Sequence, residues 1–280
     1  MLVTSKELFQ LALKNNFAIP ATNFVDQNTL RAYISIAEKR NLPLIIAFAE
    51  AHHEVMNLEE AAMLGKYHAE KANIPIVLHL DHGENLTFIK KAVDLGFTSV
   101  MIDASQDPFE ENVRKTKEII AYARPRGTVV EAEIGYVGSG DNYENHEHSE
   151  SLYTTVSEAK KFYEETKVDS LAISIGTAHG NYKGTPEINF KRLNEISQAV
   201  SVPLVLHGGS SSGDRNLNRC ALNNIVKINV FTDLVNSAVE KLMNNMNGSN
   251  YFEIQEQLRS GIESCLDHYY TVFNTQPVNV

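Results

Sequence analysis

Short, nearly unbroken apolar runs alternate along the chain with longer stretches in which apolar residues recur every three or four positions. Continuous apolar runs are the signature of strands covered on both faces, and strands separated by amphipathic helices predict repeated βα units around a parallel sheet. Eight strands are predicted: Ala18 to Asn23, Leu44 to Phe48, Ile76 to Asp81, Ser99 to Asp103, Val129 to Ile134, Ser170 to Ile175, Leu204 to His207 and Val226 to Val230. Eight such units close into an α/β fold of the (β/α)8 TIM barrel type, which takes roughly 250 residues. The 280 residues are therefore expected to form a single domain, 1–280, with a C-terminal helical extension beyond the break at Asn244 to Asn250.

Local signals agree with this map. Thr4-Ser5-Lys6-Glu7 and Thr155-Val156-Ser157-Glu158 read as capping boxes at helix starts. Gly96 fits the left-handed position just past a helix, and Pro43, Pro75 and Pro203 each stand between a helix and a strand. The polar, glycine-containing stretch Gly138 to Leu152 interrupts the rhythm and predicts a long loop after the fifth strand.

Candidate chemistry collects at strand ends. His82-Gly83, His179-Gly180 and His207-Gly208 each follow an apolar run. Imidazoles this far apart in sequence meet only if the fold gathers its strand ends, which a parallel barrel does on its C-terminal face. Three imidazoles suit a catalytic zinc, which takes three protein ligands and keeps one position open. Asp81 adds a carboxylate beside the first of them, and Asn23, Glu50, Asp103, Glu133 and Asn229 end strands at the same rim. His79 reads as a packing group or a support to the ligands, and His52, His53, His68, His146, His148 and His268 as surface or loop groups. The run His207 to Ser212 places small residues before a helix, where backbone amides bind anions. Barrels often hold phosphate between the loops after strands seven and eight, and Lys183 could add a positive charge.

A net charge of −10 disfavours nucleic acid and anionic membrane as partners. Cys220 and Cys265 are too few for a disulfide framework and fit free thiols in a reducing compartment. The opening residues lack a basic region followed by an apolar one, so a cytoplasmic location is expected.

The motifs His79-Leu80-Asp81-His82-Gly83, Val130-Glu131-Ala132-Glu133-Ile134-Gly135, His179-Gly180-Asn181-Tyr182-Lys183-Gly184, His207-Gly208-Gly209 and Lys227-Ile228-Asn229-Val230 resemble those of the class II, zinc-dependent ketose-bisphosphate aldolases, of the fructose- and tagatose-bisphosphate aldolase type. The resemblance implies Zn2+ held by His82, His179 and His207, with Glu133 as an additional or supporting ligand and Asp103 binding a second metal or orienting the site. It implies Asp81 as the acid/base at the C4 hydroxyl and Asn229 as a hydrogen-bond donor to the three-carbon fragment. Asn23, Gly180, Lys183, Gly208, Ser210 and Thr232 would contact substrate, the last five at its phosphate. Backbone carbonyls near Ala178, Gly180 and Gly208 would hold a monovalent cation, Na+ or K+. The carbon-bound proton falls to Asp141 or Glu144, and Arg259 resembles an arginine that reaches the distal phosphate from a neighbouring subunit, as a homodimer or homotetramer would allow. The partner is then a small sugar phosphate.

The chain departs from that pattern at Ala49, where relatives carry serine, and at Phe231, where they carry an acid or amide. Both positions lie on the aldehyde side, so an altered aldehyde part is an alternative reading, as is a non-catalytic sugar-phosphate-binding paralogue. A zinc hydrolase on the same barrel is disfavoured, because the first strand ends Ala21-Thr22-Asn23-Phe24 without a His-x-His pair.

Overall fold

The structure, a computed structural model, describes residues 1–135, 137, 153–180, 184–246 and 250–278. Strands β1 (Ile19–Asn23), β2 (Leu44–Ala49), β3 (Ile76–Gly83), β4 (Ser99–Ile102), β5 (Val129–Ile134), β6 (Ser170–Ile173), β7 (Leu204–Leu206) and β8 (Ile225–Asn229) close in sequence order into a parallel barrel, β8 pairing back onto β1. Helix α1 (Ser5–Asn15) precedes β1. Helices α2 (Gln27–Arg40), α3 (Leu58–Lys71), α4 (Leu86–Leu95), α5 (Phe109–Ala123), α6 (Val156–Thr166), α7 (Phe190–Ala199), α8 (Asp214–Ala221) and α9 (Thr232–Asn245) follow the successive strands. The expected C-terminal extension is α10 (Tyr251–Val272), which packs between α9 and α2 outside the β8–β1 seam.

Strand alternation sorts the side chains. Ile46, Phe48, Leu78, Leu80, Val100, Val130 and Ala132 face the helices in the main core. Inward-facing Ile19, Ala21, Ile45, Val77 and Val226 meet Leu8, Phe9 and Ala12 of α1, which plugs the N-terminal end. Full burial of each large side chain there contributes about 1.5–3 kcal/mol. With that end closed by hydrocarbon, the polar residues higher on the same inward rows, His79 and Asp81 above Val77, occupy the C-terminal half.

The caps divide. Thr155 accepts from Glu158 N while the Glu158 carboxylate accepts from Thr155 N, the expected reciprocal box. Thr4 makes no side-chain cap bond, and the segment before it is drawn onto β3, with Val3 N donating to Ile76 O at 2.9 Å. Thr155→Ala is therefore expected to cost about 1 kcal/mol and Thr4→Ala a few tenths at most, measured side by side by denaturant unfolding. Gly96 adopts φ 94° at the end of α4, as its position required.

Candidate active site and metal centre

Asp81 and His82 are consecutive, and in a regular strand consecutive side chains leave opposite faces. Both reach the barrel mouth because β3 is bulged: its register against β4 shifts between Leu80 and Gly83, and His82 takes φ 44°. A bulge re-aims a side chain, and a non-glycine residue in the left-handed region marks strain that concentrates at functional sites. The following glycine is required by space, since a Cβ on Gly83 would lie 2.6 Å from Met101 O and from Ile89.

The three strand-end histidines converge. Ring centroids of His82 lie 4.8 Å from His179 and 4.5 Å from His207, with 6.1 Å between His179 and His207. One nitrogen on each ring, His82 Nε2, His179 Nε2 and His207 Nδ1, is buried without a hydrogen-bond partner, and the three rings offer donor atoms within 4.8 Å of one another. The other nitrogens of two rings are held by carboxylates. His82 Nδ1 donates to Asp103 Oδ2 at 2.8 Å, and His207 Nε2 donates to Glu131 Oε1 at 3.0 Å. A carboxylate behind an imidazole fixes its tautomer and orientation and raises its basicity toward a metal. Three orphaned lone pairs facing one point are a costly arrangement unless a cation occupies it, so the donor set fits a metal ion.

Charge around this point is strongly biased. Burial opposes ionisation of His82, yet the Asp81 charge, the hydrogen bond to Asp103 and nearby Glu133 raise its pKa to about 10. Burial and the neighbouring His82 lower His179 to about 3. Burial would raise Asp103, but its bonds from His82 and Ser105 hold it at about 2. Glu133 Oε2 is buried and unpartnered, and burial together with Asp103 pushes this carboxyl well above its ordinary range. His82, Asp103 and Glu133 form a second group whose donor atoms lie within 4.8 Å, so Glu133 is within reach of the same ion.

Asp81 is clamped from both sides. Asn23 Nδ2 donates to Oδ2 at 3.0 Å and Asn229 Nδ2 to Oδ1 at 2.9 Å. Burial alone would raise this carboxyl; His82, His207, Lys227 and His79 outweigh it and hold Asp81 well below the usual range. It stands as a fixed carboxylate beside the histidines, while Asn229 Oδ1 has no partner.

Beneath the rim lies a wholly buried polar layer that the sequence reading did not assemble. Lys227 Nζ donates to Glu131 Oε1 at 2.7 Å and to His79 Nε2 at 3.1 Å, and His79 Nδ1 donates to Ser99 Oγ at 2.8 Å. Burial first, then Lys227, keeps His79 neutral by lowering its pKa to about 3. The signal was present in the strand parity: Glu131 shares its inward row with Glu133, and Lys227 with Asn229.

The phosphate-loop residues are less open than expected. Gly209 N, Ser211 N and Ser212 N bond to Asn229 O, Asp233 Oδ2 and Gly209 O, so these amides are engaged inside the loop. Ser210 Oγ accepts from Phe231 N and Asp233 N at the start of α9, next to Thr232. Gly208, at φ 66°, packs so closely that a Cβ would lie 2.4 Å from Ala178 O. Arg259 is not brought to the histidines. It is half-buried on α10, pairs with Glu256 and Glu263, and lines a groove with Asp26, Arg31, Tyr251 and Phe252. Asp141, Glu144 and Lys183 lie outside the described residues. Glu50 serves the scaffold, its carboxylate accepting from Glu84 N and Asn85 N. His52, expected as a surface or loop group, does lie in the turn after β2, where it packs against Phe231 close enough for the Asp81 charge to act on it.

A closed parallel barrel with three converging imidazoles beside an ionised carboxylate at its C-terminal mouth is the architecture of a barrel enzyme whose donor set fits a metal ion. Residues 3–276 match the family described as fructose-bisphosphate aldolase class-II. The chain belongs to this family and is an aldolase, a carbon–carbon lyase. Among solved structures, the YdjI aldolase from Escherichia coli K12 is 32% identical, with a TM-score of 0.88 and 98% of each chain covered. A Coccidioides immitis protein provisionally labelled a fructose-1,6-biphosphate aldolase is 28% identical over 96% of this chain and 95% of that one, with a TM-score of 0.86. The fructose-bisphosphate aldolase of Campylobacter jejuni, 22% identical at a TM-score of 0.82 over 99% and 97% of the two chains, shares the fold.

Proposed function

We propose that this protein is a zinc-dependent aldolase, a single cytoplasmic domain that reversibly cleaves fructose 1,6-bisphosphate or tagatose 1,6-bisphosphate to dihydroxyacetone phosphate and glyceraldehyde 3-phosphate. The observation that carries it is Asp81, ionised and clamped by Asn23 and Asn229, beside three unpartnered ring nitrogens. Zinc bound by His82, His179 and His207, with Glu133 in reach, would polarise the substrate carbonyl and offset the negative charge that develops on the three-carbon fragment. Asp103 and Glu131 hold two of those rings in position.

Cleavage of the C3–C4 bond needs a base for the C4 hydroxyl proton. Asp81 takes that proton as the C4 oxygen becomes the aldehyde carbonyl and the bonding electrons pass to the three-carbon fragment. Asn229 hydrogen-bonds that fragment, and Asp141 or Glu144 returns a proton to its carbon. Gly180, Lys183, Gly208, Ser210 and Thr232 hold the phosphate. Support for this comes from the Ser210 hydroxyl at the start of α9, where a helix N-terminus favours an anion. Backbone carbonyls near Ala178, Gly180 and Gly208 would hold a monovalent cation, Na+ or K+. Arg259, held by Glu256 and Glu263 in the groove beside α2, would reach a distal phosphate from a neighbouring subunit of a homodimer or homotetramer. The exposed Tyr251 and Phe252 at the head of α10 favour such an assembly.

A second reading, the same reaction on a ketose phosphate with a different aldehyde part, is favoured by the aromatic pair of His52 and Phe231 at the mouth. Cleavage assays with fructose 1,6-bisphosphate, tagatose 1,6-bisphosphate and ketose 1-phosphates test both readings. Dihydroxyacetone phosphate release is expected to vanish with a chelator and return with zinc. Turnover indifferent to the chelator, or no cleavage of any ketose phosphate, would refute the assignment.

A further inference from the structure

The loop after β2 carries a built feature that the reaction above does not use. β2 runs directly into a single tight turn, Glu50–His52, and His52 O accepts from Val55 N and Met56 N, with Met56 buried beneath. The Glu50 carboxylate ties the turn to the loop after β3 through Glu84 N and Asn85 N, at 2.7 and 3.1 Å. The turn is thus anchored on the loop that follows His82.

From this anchored turn the His52 ring crosses to the loop after β8. Its centroid lies 5.3 Å from that of Phe231, tilted by 46°. β1 runs between β2 and β8 in the barrel and ends in Asn23, so the ring pair bridges the mouth next to the clamp on Asp81. His52 is close enough for the Asp81 charge to act on it, yet burial lowers its pKa, so the ring is neutral at pH 7. Nδ1 is buried and has no hydrogen-bond partner. A buried polar atom without a partner is costly, and Nδ1 of a neutral imidazole can donate to or accept from a hydroxyl. The two Asp81 oxygens accept from Asn23 and Asn229, and His52 Nδ1 is bonded to neither. A substrate hydroxyl is therefore the natural complement of His52. Phe231 presents an aromatic wall to the C–H groups of the same fragment.

Resting on the aldolase reading, we propose that His52 is the specificity residue for the aldehyde half of the substrate, its Nδ1 hydrogen-bonding the hydroxyl on the carbon next to the new carbonyl, with Phe231 backing that carbon. Asp81 serves the oxygen on the cleaved bond, and His52, one group further out, serves the next oxygen along the chain. The acceptor class is then a 2-hydroxyaldehyde. A site built to hydrogen-bond a hydroxyl rejects the analogue that lacks it, because the protein atom is left unpaired.

The test runs in the condensation direction, with the zinc-loaded full-length protein and dihydroxyacetone phosphate as donor. It compares glyceraldehyde with 3-hydroxypropanal, which lacks only the 2-hydroxyl. The wild type is expected to prefer glyceraldehyde by at least about tenfold in kcat/KM, and His52→Ala to lose about tenfold or more on glyceraldehyde but less than about threefold on 3-hydroxypropanal. His52→Asn, whose amide reaches a similar point, should restore part of the preference. Equal losses on the two aldehydes would show a structural role only, and an unchanged preference would remove His52 from the site; either result overturns the proposal. Solvent deuterium exchange into dihydroxyacetone phosphate by the wild type separates the two levels. Exchange without aldehyde discrimination overturns the His52 assignment alone, whereas absence of exchange overturns the aldolase reading on which it rests.

Discussion

Asp81→Asn is expected to lower ketose phosphate cleavage by about 100- to 10,000-fold, the range by which a positioned acid/base accelerates proton transfer. The substitution keeps the shape of the side chain and removes its basicity. Its structural cost is confined, since an amide presents one acceptor where the carboxylate presented two. Either Asn23 or Asn229 then loses its partner, costing about 1–3 kcal/mol for a buried donor left unsatisfied. The converging histidines have separate supports, Asp103 behind His82 and Glu131 behind His207, and neither support is hydrogen-bonded to Asp81. Zinc content, measured by atomic emission, should therefore stay near one equivalent of the wild-type value while turnover collapses. Turnover above about a tenth of wild type, with zinc retained, would exclude Asp81 as the base. Because its folded-state pKa is depressed, Asp81 contributes stability above the unfolded value near about 3.9 and loses it as pH falls further. The same substitution should accordingly flatten the acid side of the stability profile.

The barrel was legible because each strand is an apolar run with a clear start and stop. All eight lie within two residues of the reading from the pattern, and the C-terminal helix begins where the polar break ended. The convergence of His82, His179 and His207 was legible too, since they sit on strand ends and closure brings those ends together whatever their separation in sequence. Two kinds of feature were hidden. His82 has the wrong parity to join Asp81 in a regular strand, and only the bulge at Gly83 corrects it; register shifts leave no mark in a hydrophobic pattern. His52 is the loop group it was read as, but its packing onto Phe231 was hidden because a loop residue has no periodicity to say which way the turn after β2 folds. Thr4 shows the opposite failure. Its motif was complete, but a local motif does not decide where the preceding segment is pulled.

The buried layer beneath the histidines leads to the largest expected effect on stability. Lys227, Glu131, His79 and Ser99 are all almost fully enclosed, and Lys227 is the cation that faces Glu131 at 2.7 Å. Burial would raise the Glu131 carboxyl; Lys227 and the bond from His207 hold it ionised. Lys227→Met fills similar volume but leaves that charge enclosed, among the described residues, with His207 and a long contact from Ser170 at 3.4 Å as its hydrogen-bond partners. Breaking a buried pair from one side typically costs about 3–5 kcal/mol, most of it the penalty of the stranded charge. The double variant Lys227→Met with Glu131→Gln removes both charges, and its amide oxygen can still accept from His207 Nε2. It is expected to recover at least half of the lost stability in denaturant unfolding, while zinc affinity drops about 10- to 100-fold because a neutral amide supports the ring less well than a carboxylate. The two readouts separate two roles: the lysine exists for the charge of Glu131, and Glu131 exists for the orientation of His207. A single variant as stable as wild type, or a double variant no better than the single, would show that the layer is not coupled in this way. In that case His207 would owe the orientation of its buried, unpartnered Nδ1 to packing alone.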